Sequence, residues 1–227
     1  ANGWMVSVGT ICLFETSSGL EGEAQVVGFK EDVILLMSFE GTQGLESGAK
    51  VWRKDRSDMA LVGYEALGRV LDARGEPLDG VARPKCSVPV PLAGPTINPM
   101  LRDSIEEVLD VGVRSINSLL TIGCGQRIGL IAGSGVGKSV LLGMMTRFSS
   151  ADVIVIGLIG ERGREVKAFI EENLGVDGLR RSVVIASPAD SSPLLRMRGA
   201  SLAHCYACLL YTSPSPRDRT RSRMPSS

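Results

Sequence analysis

Residues 132–139 read AGSGVGKS and stand between an apolar run, QRIGLIA (126–132), and KSVLLGMMTRF (138–148), whose apolar residues recur at helical spacing. Strand, glycine-rich loop, helix is the arrangement in which a G-x-x-x-x-G-K-[ST] motif carries meaning, and the octet fits it except that Ala132 replaces the first glycine. The glycines let successive backbone N–H groups turn inward around phosphate oxygens, while the positive end of the following helix points at the same anion. Residues Gly133, Ser134, Gly135, Val136, Gly137, Lys138, Ser139 and Val140 are therefore the candidate nucleotide-binding set. Lys138 would reach the β- and γ-phosphates, and the Ser139 hydroxyl would serve a Mg²⁺ ion bridging them. The competing reading is a strand-to-helix turn with a chance Gly-Lys-Ser, which the flanking strand and helix patterns argue against.

Outward from the loop, strand-like and helix-like runs alternate: DVIVIGLIG (152–160), REVKAFIEENLG (164–175) and RSVVIAS (181–187). Such alternation predicts α/β architecture, an incomplete P-loop parallel sheet covered by helices. Upstream, Asp103 and Ser104 suit the cap of a helix running through Ile105, Val108, Leu109, Ile116, Leu119 and Leu120, broken in two at Gly112. The second strand ends in Gly160, Glu161, Arg162, Gly163, Arg164 and Glu165, which places an acid and a base at the carboxyl edge of the sheet, where ligands bind in open α/β folds. A carboxylate there can orient water for attack on a γ-phosphate, and an arginine beside it can steady the equatorial oxygens. Pattern alone equally allows a solvated charge run at a helix start, where acids offset the macrodipole.

Residues 6–90 hold short apolar runs, MVSVGTICLF, AQVVGF, DVILLMSF, AKVWR and LGRVLD, separated by Gly and Asp turn signals. That spacing predicts an all-β barrel or sandwich over residues 1–90. The segment RVLDARGEPLDG (69–80) reads as turns, and PKCSVPVPLAGPTINP (84–99) is too rich in proline for a helix or a central strand and reads as the linker. A partial P-loop domain then occupies residues 91–207.

From Cys208 the periodicity gives way to CLLYTSPSPRDRTRSRMPSS, expected to be disordered. Its opening resembles the conceptual translation of a transposon-end sequencing adapter, so residues 208–227 are expected not to be natural protein. Read as protein it would be a basic arm: four arginines against Asp218 give a net charge of +3, and the whole chain carries 25 basic and 25 acidic side chains, so residues 1–207 sit at about −3. That balance gives no footprint for nucleic acid. The string HCYAC, with His204, Cys205 and Cys208, lacks the second ligand pair of a metal site. Five scattered cysteines fit a reducing compartment, the longest apolar stretch, VIVIGLI, is too short to cross a bilayer, and the N-terminus resembles neither a secretory signal nor a natural start. A cytoplasmic fragment is the expectation.

At GRVLDARGEPLDG, GPTINPMLRDSIEEVLDVGVRSINSLLTIGCGQRIGLIAGSGVGKSVLLGMMTRF, ADVIVIGLIGERGREVKAFIEENLG and RSVVIASPADSSPLLRMRGA, the chain closely resembles the flagellum-specific ATPases of the bacterial export apparatus, relatives of the rotary ATP synthase catalytic subunit. The resemblance implies that Lys138 and Ser139 serve ATP and Mg²⁺, that Glu161 is the catalytic carboxylate with Arg162 near the γ-phosphate, and that Glu165 helps position the metal's water shell. It further implies a homo-hexamer in the full-length form, acting with flagellar export apparatus proteins and export substrates, without nucleic acid, and touching the membrane only peripherally through the export gate. Cys124 stands where the family leads one to expect arginine. The Walker B aspartate, arginine finger, adenine pocket and C-terminal helical domain expected downstream are absent from the sequence, so weak phosphate binding and negligible turnover are expected of this chain. The alternatives are the ATPase of a virulence-type secretion injectisome, which shares GERGREV and the loop; a rotary ATP synthase subunit, disfavoured by Gly163 and Val166; and a non-catalytic nucleotide-binding or assembly module.

Overall fold

The computed structural model describes residues 5–17, 19, 21–54, 59–94, 98, 100, 104–133 and 135–212. The N-terminal apolar runs form β1 (Ile11–Glu15), β2 (Glu21–Lys30), β3 (Val33–Ser38) and β4 (Val51–Arg53), a four-stranded antiparallel sheet in the order β3-β2-β1-β4. Along β1, Cys12 and Phe14 are buried on one face and Ile11 on the other, where it joins Phe39 and Leu194. Register slips between Val26 and Gly28, so Val27 is an extra residue opposite β3. Such a bulge rotates the strand beyond it, and Phe29, Val33 and Leu35 lie exposed there. A second small sheet pairs β5 (Met59–Val62) with β7 (Val88–Pro91). The proline-rich stretch thus supplies an edge strand, where prolines that cannot donate to a ladder are tolerated.

Three strands make a parallel sheet in the order β6-β9-β8, from β6 (Arg69–Leu71), β8 (Ile154–Ile159) and β9 (Ser182–Ser187). All six residues of central β9 are buried, as expected of a strand covered on both faces. Val183 and Ile185 face a cluster with Leu71, Leu202 and Tyr206, the last two on α5 (Pro193–Thr212). Val184 and Ala186 face the opposite cluster, with Val166, Phe169 and Leu174, from α3 (Gly163–Ala168) and the π-helical segment Phe169–Leu174 that continues it into α4 (Gly175–Arg180). Two helices precede these: α1 (Arg114–Leu119) and α2 (Lys138–Phe148), the helix predicted after the glycine loop.

Four expectations need correction. The run LGRVLD, grouped above with the β domain, supplies β6, which pairs in parallel with β9 instead. The helix expected from residue 103 onward forms only as α1; Asp103 lies outside the described residues, and residues 107–109 instead pair with 122–124 through Leu109 N–H to Ile122 O (2.7 Å) and Cys124 N–H to Glu107 O (2.8 Å). Gly112 ends this pairing at φ 72°, pressed on Phe148, where an added Cβ would come within 2.3 Å of its backbone. Third, QRIGLIA is not a strand: no described strand pairs with it, and Ile131 is 96% exposed. Fourth, the disorder expected from Cys208 does not hold for residues 208–212, because α5 runs to Thr212, with Leu209 and Leu210 packed against the Tyr206 cluster. Residues 213–227 lie outside the described residues.

Candidate functional site

Gly135 and Gly137 adopt φ of 75° and 96°, the left-handed region glycine enters without penalty. A Cβ built on Gly133, Gly135 or Gly137 meets nothing within 4 Å, so the demand on Gly135 and Gly137 is conformational and the space beside the turn is open. Ser134 lies outside the described residues. Gly137 caps α2, whose ladder starts with Leu141 N–H to Gly137 O at 2.9 Å, leaving the amides of the first turn free to point at an anion. Lys138 folds back over the loop, its Nζ donating to Ala132 O at 2.9 Å. Val136, Ser139 and Val140 are exposed around the same turn.

The far end of α2 is fixed by residues that sequence reading passed over. Arg181 Nη1 donates to Ala151 O (2.7 Å), and Nη2 lies within reach of Thr146 O (2.7 Å) and Ser149 O (3.0 Å). Asp110 O accepts from Ser150 N–H at 2.9 Å, and its carboxylate accepts from Gly112 N–H and Asn117 Nδ2. These two amide donors hold the Asp110 carboxyl below its usual range. Leu141 and Met145 pack against Val111, Val113 and Ile122. A guanidinium among helix C-terminal carbonyls is the signal that could have been sought, but nothing in the spacing of Arg181 announces it.

At the carboxyl edge of the sheet the ladder continues past the strands, with Gly160 N–H to Ser187 O at 2.8 Å and Ala189 N–H to Glu161 O at 2.9 Å. Gly160, at φ 78°, turns the chain out of β8, and Glu161, Arg162 and Glu165 are exposed there. Arg162 O accepts from Glu165 N–H and Val166 N–H, which starts α3, and Val166 anchors that helix in the core. Arg162 Nη1 stands 3.7 Å from Glu165 Oε1, with the side chains 69% and 47% exposed. An exposed pair of this kind contributes about 0–1 kcal/mol, so an incoming phosphate can displace it. Ser187 Oγ is buried at this edge without a hydrogen-bond partner, a polar atom that no pattern in RSVVIAS singles out. Among the described residues no hydrogen bond or ion pair joins 132–139 to Glu161, Arg162 or Glu165. Nor does any group of three or more His, Cys, Asp or Glu form a metal cage among them; on α5, His204 and Cys208 are exposed and Cys205 is buried.

The model of the ATP synthase alpha/beta family nucleotide-binding domain matches residues 112–212, and that of the same family's beta-barrel domain matches residues 6–54, together more than half of the chain. The chain belongs to the ATP synthase alpha/beta family. Within it, the chain is 54% identical over 203 residues to the flagellum-specific ATP synthase of Pseudomonas aeruginosa, covering 88% of this chain and 45% of that protein. It is 53% identical to the flagellum-specific ATP synthase of Salmonella typhimurium, covering 89% and 47%. Among solved structures, the assembled ATPase EscN of the enteropathogenic E. coli type III secretion system superposes with a TM-score of 0.81 at 36% identity, covering 91% of this chain and 49% of that one. The chain thus spans less than half the length of either flagellar relative. Family membership supplies a nucleotide-binding domain over the glycine loop, and the likeness at 0.81 supports the β-rich domain followed by the parallel sheet.

Proposed function

We propose that this chain carries the β domain and the phosphate-binding half of an ATPase that energises protein export by a flagellar type III apparatus. The observation that carries the reading is the open glycine turn at 135 and 137 leading directly into α2, with Lys138 poised over it. The main-chain amides would hold the terminal phosphates, and Lys138, which has three donors, would keep Ala132 O and turn the others to the β- and γ-oxygens. Glu161 would take the hydrolytic water, and Arg162, released from Glu165, would face the γ-phosphate.

The donors present fit Mg²⁺: the Ser139 hydroxyl and, through water, the Glu165 carboxylate are hard oxygen ligands, and a Mg²⁺ site ordinarily draws much of its shell from substrate phosphates and water. Bound there, the ion would neutralise charge developing on the transferred phosphoryl group. The full-length protein would work as a homo-hexamer, a reading supported by the likeness to EscN, an ATPase solved in its assembled form. It would engage export apparatus proteins and their substrates at the cytoplasmic face of the membrane. Among the described residues no helix is long and apolar enough to cross that membrane.

A virulence-type export role is the second reading, supported by the EscN likeness and by 41% identity to the type 3 secretion system ATPase of Sinorhizobium fredii. The higher identities to flagellar proteins favour the first. Titration of the chain with a fluorescent ATP analogue and Mg²⁺ tests the common core of both. Lys138→Ala is expected to weaken binding by about tenfold or more, the loss of one charge-assisted contact. Equal binding by wild type and variant would sink the reading.

A further inference from the structure

Two buried polar atoms near the start of α5 have no hydrogen-bond partner, Arg196 Nε and Ser187 Oγ. Ser187 ends β9 and is 2% exposed; its Cβ lies 3.3 Å from where a Cβ on Gly199 would stand, so the hydroxyl is on the α5 side of the sheet. Arg196 is half-buried, and its backbone N–H donates to Ser192 O at 3.1 Å. Neither Glu161 nor Asp190 forms an ion pair with it among the described residues. The packing of α5 on β8 fixes where this side chain stands. A Cβ on Gly157 would lie 3.5 Å from Ala203 Cβ, and one on Gly199 would lie 3.0 Å from Ile159 Cδ1. α5 therefore runs antiparallel to β8, four helical residues (about 6 Å) covering two strand residues (about 6.5 Å). One turn earlier in α5, residues 195 and 196 come over position 161, which Ala189 N–H to Glu161 O at 2.9 Å keeps beside the end of β9. Arg162 stands at the start of α3, on the other face of the sheet, so the two arginines flank Glu161 from opposite sides.

As it stands, this placement of Arg196 is unfavourable. Ser192 Oγ caps α5 by accepting Leu195 N–H at 3.3 Å, and the first turn holds no acid. A cation there meets the positive end of the helix macrodipole. The unmet Nε adds the desolvation cost of a buried donor that has lost water and gained no acceptor. An anion brought to the edge beside Glu161 relieves both: it offsets the dipole, and it offers the guanidinium an acceptor of the kind to which arginine bonds most strongly. No hydrogen bond or ion pair holds the Arg196 side chain in its resting place, so it is free to turn toward such a group.

We propose that Arg196 is the residue by which the site distinguishes a nucleoside triphosphate from a diphosphate, its guanidinium turning onto the terminal phosphate beside Glu161. The assignment rests on the nucleotide reading of the glycine loop and adds to it the group that reads the γ-phosphate. Titration of the full chain, in Mg²⁺, with a fluorescent non-hydrolysable ATP analogue and with the matching ADP analogue tests it. Wild type is expected to hold the triphosphate more tightly. Arg196→Gln is expected to weaken the triphosphate about tenfold and the diphosphate by less than about twofold. Its melting temperature should stay within a few degrees of wild type, because no side-chain hydrogen bond is lost. Arg196→Lys, which keeps the charge without the planar fork, should recover part of the triphosphate affinity. Lys138→Ala should weaken both nucleotides; if it weakens neither, the nucleotide reading fails and this assignment with it. Where Lys138→Ala behaves as expected, an Arg196→Gln variant that binds both nucleotides as wild type does, loses both equally, or no longer folds would overturn the role of Arg196 alone.

Discussion

Arg181 Nη2 donates to Thr146 O at 2.7 Å, reaching back 35 residues to close the end of the helix that begins at the glycine loop. The last carbonyls of a helix have no partner within it, and a cation there also meets the negative end of the macrodipole. Removing the guanidinium leaves Ala151 O and Thr146 O, both bonded at 2.7 Å, without this donor. Arg181→Ala should therefore cost about 2–3 kcal/mol in urea unfolding, near the upper range for hydrogen bonds to charged groups. Arg181→Lys should recover less than half of it, since a point charge cannot span the fork. A loss below about 0.5 kcal/mol would show that α2 is held by packing alone.

Asp79 and Arg69 form a two-pronged pair, at 2.7 and 2.9 Å, with the Asp79 carboxylate also accepting the amides of Val70 and Val81. The Arg69 hydrogen bond does most to hold the Asp79 carboxyl at about 2, and the side chains are only 15% and 18% exposed. Because the folded value lies below the unfolded one, the stabilisation is fully present above the unfolded range near pH 4 and fades as pH falls toward 2. It amounts to about 2 kcal/mol. Asp79→Asn should therefore be less stable than wild type at pH 7 by about that amount, with the gap narrowing between pH 4 and pH 2. A gap that stays constant across that window would place the stabilisation in packing instead of charge.

Gly143 sets two effects of opposite sign against each other. In a helix interior, alanine gains about 1 kcal/mol over glycine by propensity. Here the added methyl would come within 2.6 Å of Asn173 Cβ and 3.0 Å of its carbonyl, in the π-helical segment that packs on α2. Overpacking of a fixed contact costs about 1–3 kcal/mol. Gly143→Ala should therefore lower the unfolding free energy by about 1 kcal/mol or more despite its better propensity. A stabilised variant would mean that α2 and the π segment separate easily.

The elements legible in sequence were those whose reasons are local. β9 carries an unbroken apolar run, Val183 to Ala186, because both of its faces are covered, and α2 announces itself by its glycine cap and its spacing. What the sequence conceals depends on partners far along the chain. Arg69, Val70 and Leu71 find their ladder on Val183, Val184 and Ile185, and no pattern within LGRVLD distinguishes that from an antiparallel neighbour. Ile128, Leu130 and Ile131 have strand composition, but a strand exists only with a partner, and none of the described strands takes one from them. Residues 107–109 have helical spacing, yet their amides and carbonyls pair with 122–124. At the site, Glu161 and Arg162 emerge at the sheet edge expected of them, whereas the Arg162–Glu165 pair and the buried Ser187 hydroxyl follow from local rotamers and packing that composition does not encode.

Gly137 allows the loop's conformation to be tested apart from the stability of the fold. It caps α2 at φ 96°, where an L side chain is strained, yet a Cβ there meets nothing within 4 Å. Gly137→Ala thus adds about 1–2 kcal/mol of backbone strain without a clash. The surrounding loop is exposed, so it can relieve that strain by leaving the left-handed region, at a small cost to folding. An anion held by inward-turned amides cannot tolerate the same relaxation, because its donors turn away with the backbone. The expected result is a melting temperature within a few degrees of wild type, together with about tenfold weaker binding of Mg²⁺-ATP. The opposite outcome, a large loss of stability with affinity retained, would mean that the turn serves the helix cap and that phosphate is held elsewhere.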